Sequence, residues 1–171
     1  MCIRDSSLPA VHLCIVQPVG YVHSLGLLDQ ANFFRYQFER LGATVTLGKN
    51  RLHNDALNFV FGAHLGFDQS LLRKYDCFFV NLEQIGEGGA NLSADYLKLI
   101  SMGPVVDYDL RNVRAYSNYP GDVPLVSFQY APYLEGSSIP LEERPIDLLF
   151  FGSVNPRRQQ WINRIEACGL S

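Results

Sequence analysis

Pro145-Ile-Asp-Leu-Leu-Phe-Phe-Gly-Ser-Val-Asn-Pro-Arg-Arg-Gln-Gln-Trp-Ile-Asn-Arg-Ile-Glu-Ala-Cys-Gly169 is the stretch on which the reading of this chain turns. Ile146 to Phe151 is an apolar run broken only by Asp147, the pattern of a strand buried on both faces of a parallel sheet. Gly152-Ser153 supplies a small-residue turn. Asn155 then suits a helix N-cap, and Pro156 suits the first helical position, where its missing N–H costs nothing. Trp161, Ile162, Ile165 and Cys168 follow at helical spacing, and Gly169 suits the C′ stop. The spacing predicts a strand, a tight turn and a helix, the opening of a βα unit.

Arg157 and Arg158 stand in the first turn of that helix, where the positive end of the macrodipole disfavours cations. A local rule broken beside a glycine turn points to function. Free N–H groups and two guanidinium forks make a ready site for a phosphate or diphosphate. The plainer reading is two solvated arginines on an exposed turn. The stretch lacks the glycines of a dinucleotide fingerprint and of a P-loop.

Working outward, Val11–Val16 is a short apolar strand, and a helical pattern runs from about Leu27 to Leu41 with Gly42 after it. Ala43–Leu47 is the second strand, Leu57–Phe61 the third, Asp76–Val80 the fourth, Val105–Val106 the fifth and Val123–Phe128 the sixth. Gln69–Lys74 is a brief helix, Ser93 caps a helix to about Ile100, and a further helix lies near Leu110–Ser117. Strands alternating with helices predict an α/β fold with a Rossmann-like, doubly wound parallel sheet. Residues 7–128 form that domain, 129–145 with three prolines and three glutamates read as a linker, and 146–171 begin a second Rossmann-like domain.

Both ends carry an expectation. Met-Cys-Ile-Arg-Asp-Ser at 1–6 reads as the in-frame translation of a sequencing-library transposon end, foreign to the fold. Ser171 follows the first helix of the expected second domain, so the chain reads as a piece of a longer protein, inactive alone. With 47% hydrophobic and 18% charged residues, the 171-residue chain has the composition of a protein with a packed core. A net charge of −3 and no basic block argue against a nucleic-acid surface. No apolar run approaches the roughly 20 residues of a bilayer span. Cys2, Cys14, Cys77 and Cys168 are scattered, which predicts reduced thiols and a cytoplasmic protein rather than a zinc ribbon or disulfide scaffold.

In open parallel sheets ligands bind outside the C-terminal ends of the strands. The polar residues expected there are His23, Asn50, His64, Glu83, Gln84, Asp107, Asp109 and Asn112. His64 has the chemistry of a general base or hydroxyl partner, and its plainer role is satisfying backbone at a buried strand end. Glu83 and Gln84 would bind hydroxyls or supply a base; otherwise Glu83 is a loop carboxylate pairing with a cation. Asp107 and Asp109 form an Asp-x-Asp, but capping by Asp109 is preferred to a metal-bound diphosphate, and no metal site is expected.

Ile146–Arg158, with the helix after it ending in Gly-Leu, resembles the strand opening the C-terminal domain of bacterial GT-B glycosyltransferases of the spore-maturation type. Ala56–His64, Val80–Gln84 and Val106–Asn112 resemble the same group and occur in its order. The resemblance implies two Rossmann-like domains facing across a cleft, the first on the acceptor side. It also implies sugar transfer from a nucleotide-diphosphate donor to a sugar, glycan or other acceptor, without a cofactor. Gly152, Ser153, Arg157 and Arg158 would then meet the donor diphosphate, His64 and Glu83 the chemistry, and His23, Gln84, Asp107 and Asn112 the acceptor. A non-catalytic nucleotide- or carbohydrate-binding module, or a degenerate partner of an active transferase, is the alternative. A flavodoxin-like or receiver-like regulatory domain ranks third, because the receiver's acidic cluster after strand one and lysine after strand five are absent.

Overall fold

The computed structural model describes residues 8–85, 92–114, 116, 122–134, 139–143, 145–146, 148–150 and 154–169. The chain divides into two compact units, Met1–Ala131 and Pro132–Ser171.

The first unit is an α/β structure on a five-stranded, all-parallel sheet. Strands β1 (Val11–Ile15), β2 (Val45–Lys49), β3 (Leu57–Phe61), β4 (Cys77–Val80) and β5 (Val105–Val106) lie in the order β2-β1-β3-β4-β5. The doubly wound, Rossmann-like expectation is met at this level. The order reverses direction between β1 and β3, which is where doubly wound sheets open a crevice. Helices α1 (Leu28–Arg40) and α2 (Ala94–Met102) are long, and α3 (Leu110–Val113) is a single turn where a helix to Ser117 was expected.

All five residues of β1 are buried, as a central parallel strand requires. The two-residue period sends Leu13 and Ile15 to one face, where they join Phe59, Phe61 and the α1 residues Ala31, Phe33 and Phe34. Phe34 meets Phe61 edge-on at 5.2 Å between ring centroids. Cys14 and Val16 point to the other face and pack with Val60, Phe79 and the α2 residues Tyr96, Leu99 and Ile100. Cys14 and Cys77 are free and buried, and burial pushes the Cys77 thiol up to about 11. The expected caps form: the Ser93 hydroxyl accepts from Tyr96 N at 3.2 Å, and Asp109 accepts from Arg111 N at 2.8 Å.

Two polar residues interrupt the apolar strands, and the connection from β2 to β3 explains both. Residues 50–56 cross over β1 without a helix, although parallel crossovers usually take a dozen residues or more. Seven extended residues reach roughly 23 Å, enough to run back along a five-residue strand. Such a strap needs partners for its backbone. His12 Nε2 donates to Arg51 O (2.8 Å), while the Thr46 hydroxyl meets Nδ1 (2.7 Å). His53 stacks on His12 with ring centroids 3.9 Å apart. The Asn58 carboxamide accepts from His53 N (2.8 Å) and lies within 3.1 Å of the carbonyls of His53, Ala56 and Asp76.

Two expected strands do not form as such. Val123–Phe128 contributes one parallel bridge, Leu125 to Asp107, through Asp107 N to Pro124 O and Val126 N to Asp107 O. Pro124 has no N–H to extend the ladder. In the second unit, Ile146, Leu148, Leu149 and Phe150 are 46–68% exposed and not in a strand. A parallel strand takes its hydrogen bonds from neighbours, and no other strand exists among the described residues of that unit. The helix after it does form: α4 (Pro156–Ala167) has Asn155 as N-cap, accepting from Arg158 N at 2.9 Å, and Gly169 closes it at φ +76°.

Candidate functional site

His64 and Glu83 come together at the C-terminal ends of β3 and β4. Gly62 makes the turn after β3 with φ +74°, a conformation that strains any side chain, and a Cβ there would lie 2.7 Å from Leu27 Cδ1, which would have to move. The one-turn helix Ala63–Leu65 that follows carries His64. His64 Nε2 stands 3.4 Å from Glu83 Oε1, an ion-pair separation, and the two side chains are 20% and 29% exposed. Burial pulls the imidazole below its ordinary value, with the Glu83 carboxylate acting in the opposite sense. His64 also meets the edge of the Tyr96 ring at 5.7 Å.

A buried network fixes the Glu83 segment. Asn81 follows β4 directly; its Oδ1 accepts from Glu83 N (3.2 Å) and from the Tyr96 hydroxyl (2.8 Å), and its Nδ2 donates to Glu83 O (3.0 Å). Asp107, 1% exposed, is the node beneath. Its Oδ1 accepts from Tyr108 N, Asp109 N and Asn112 Nδ2 at 2.6–3.0 Å. Its Oδ2 accepts from Asn81 Nδ2 and the Tyr116 hydroxyl, both at 2.8 Å. Asn112 Nδ2 also reaches Glu83 O (2.9 Å), while its Oδ1 accepts from Ile85 N (2.9 Å). Burial holds the Tyr96 and Tyr116 phenols well above the ordinary tyrosine value, so both stay hydrogen-bond donors.

The other expected site residues are dispersed or submerged. Asp107 and Asn112 are buried inside the network, so their side chains position the 83–85 segment rather than meeting solvent. Gln84 is exposed beside it. His23 is exposed and lies edge-on to Tyr21 at 5.3 Å. Asn50, left-handed at φ 52°, exchanges two 2.7 Å bonds with the Gln17 backbone. In the second unit Arg157 and Arg158 are exposed on the first turn of α4, and Arg158 lies over the Phe150 ring at 5.8 Å. Gly152 and Ser153 lie outside the described residues.

Two features escaped the sequence reading. Asn81, Tyr96 and Tyr116 hold the Glu83 segment; the available signal was an asparagine immediately after the apolar run Cys77–Val80. The other feature is a cavity of about 710 Å³ beside the strap, floored by Cys14 and Val16 and walled by Arg51, Leu52, Phe67 and Tyr75. Its signal was the short interval between the second and third expected strands, too short for a helix of usual length. Among the described residues no three His, Cys, Asp or Glu side chains gather as a metal site, and no helix is long and apolar enough to cross a membrane. Comparison with family models, curated proteins and solved structures gave no match to this chain.

Proposed function

We propose that this chain belongs to a GT-B glycosyltransferase, transferring a sugar from a nucleotide-diphosphate donor to a hydroxyl acceptor in the cytoplasm. The observation that carries the reading is the His64–Glu83 pair at 3.4 Å, on the strand ends where a doubly wound sheet takes its ligands. An imidazole held below its ordinary value is neutral near pH 7 and able to take a proton from a sugar hydroxyl. Glu83 would stabilise the imidazolium that forms, and Gln84 would bind a neighbouring hydroxyl. Nothing in this chemistry calls for a metal or cofactor. In the second unit Arg157 and Arg158, with Gly152 and Ser153, would take the donor diphosphate, where guanidinium groups offset the charge of the departing nucleotide. The motif resemblance of Ile146–Arg158 supports this half of the reading, and the other three motifs support the first.

The test is calorimetric titration of the chain with uridine, guanosine and adenosine diphosphates, beside an Arg157→Ala, Arg158→Ala double variant. Micromolar binding weakened at least tenfold by the double variant is expected, a difference of about 1.4 kcal/mol. Absence of binding by the folded chain would overturn the donor site. Titration with oligosaccharides, compared between the native chain and Glu83→Gln, tests the acceptor side separately. Sugar binding without nucleotide binding would favour the non-catalytic module.

A further inference from the structure

The cavity beside the strap is used by nothing in the transferase reading, and its lining shares no residue with the His64–Glu83 pair or the network beneath it. It begins at Gln17 and Val19, just past β1, and continues along the sheet face over Cys14 to Asn54 and Tyr75. This is the flank of the sheet over which residues 50–56 cross as a thin strap. A crossover helix would cover far more of that face; the strap leaves a trough. At about 710 Å³ the trough falls within the roughly 300–1,000 Å³ typical of small-molecule sites. It also adjoins the point between β1 and β3 where the strand order reverses, the location at which open α/β sheets bind ligands.

The lining specifies a chemistry. Val16, Leu52, Leu65, Phe67, Leu71 and Tyr75 give it apolar and aromatic walls. Two opposite charges border it. Asp68 is engaged in its own segment, its carboxylate accepting from Ser70 N at 2.9 Å. Arg51 is exposed, and among the described residues no carboxylate lies within ion-pair distance of its guanidinium. The His12 Nε2 bond to Arg51 O anchors the backbone that carries this cation at the trough wall. A cation at the border of an apolar trough is complementary to an anion with an apolar body.

The geometry points to a second ligand site in this trough, for a small organic anion whose aromatic or aliphatic body lies against Leu52, Phe67 and Tyr75 while its anionic group pairs with Arg51. It is independent of the His64–Glu83 pair and of the α4 arginines.

The test uses two fluorescent probes sharing one ring framework, 1-anilinonaphthalene-8-sulfonate and the uncharged N-phenyl-1-naphthylamine. Each is titrated into the chain, an Arg51→Gln variant and a Leu71→Trp variant, all checked for native circular dichroism and cooperative unfolding. The sulfonate is expected to bind saturably, at least tenfold more tightly than the neutral probe. Arg51→Gln should reduce sulfonate affinity to that of the neutral probe while leaving the neutral probe unchanged. Leu71→Trp, which narrows the trough, should weaken both, and amide shifts on sulfonate addition should map to residues 14–19, 50–54 and 65–75. Equal affinity for both probes, indifference to Arg51→Gln, or absence of saturable binding by the folded chain would each overturn the site. None of these outcomes bears on nucleotide binding, so the two readings fail separately.

Discussion

The sheet buries polar side chains in two places, and the two are built differently. At the ends of β4 and β5, Asp107 gathers five donors from Asn81, Asn112, Tyr116 and two backbone N–H groups. Beside β1 and β3, His12 and Asn58 hold the strap with neutral groups alone. The first is a cage around a carboxylate, and removing its centre orphans every donor at once. The second is a seam, in which each bond secures a separate part of the backbone. A cage fixes the 83–85 segment rigidly beside His64; a seam holds a strap down and leaves a trough at its side. The contrast predicts unequal costs for breaking them.

The largest effect should come from Asp107→Ala. It strands several buried donors, at about 1–3 kcal/mol for each group left unpaired, and a loss of roughly 4 kcal/mol or more is expected after relaxation. Urea unfolding would measure it, and a cost under roughly 1 kcal/mol would show that the cage is not a unit. Asn58→Ala should cost less, about 2 kcal/mol, because the strap can rotate its freed groups toward water. If Asn58→Ala proves the costlier of the two, the distinction between cage and seam fails. Gly62→Ala comes next, at about 1–3 kcal/mol for a left-handed alanine pressed against Leu27. It should also shift the His64 ring resonances, since Gly62 aims the turn that carries them.

The same contrast explains what was legible in the sequence. β3 and β5 fall where their apolar runs place them, since local pattern and pairing agree there. Ile146–Phe150 is an apolar run broken by one polar residue, as Leu57–Phe61 is, but Ile146, Leu148, Leu149 and Phe150 remain exposed, so an apolar run is a strand only when another strand offers its edge. β2 begins at Val45 instead of Ala43 because Ala43 N still bonds Phe38 O at the end of α1. His64 and Glu83 were reachable through the strand-end rule. Asn81 and Tyr96 were not, because their role depends on contacts across 15 residues or more. The trough depends on an element that does not form, and only the short count between β2 and β3 hints at that.

The smallest expected effect is the pH response of the seam. Burial lowers the His12 imidazole below its ordinary value of 6.5, outweighing the Arg51 carbonyl that favours the proton. The folded state therefore holds fewer protons on His12 than the unfolded state between its lowered value and about 6.5. Stability from this group is complete above that ordinary value and declines as pH falls through the window, levelling off below the folded value. His64 is lowered for the same reason and acts in the same direction. Thermal unfolding should therefore show the native chain losing stability as pH falls below about 7. His12→Gln, whose amide can still donate toward Arg51 O, should flatten part of that slope while lowering stability modestly at pH 8. His64→Gln should flatten a separate part without loosening the strap, as amide exchange at residues 50–56 would show. A His12→Gln chain with the full native slope would mean that the seam does not sense protons and that the acid response lies elsewhere.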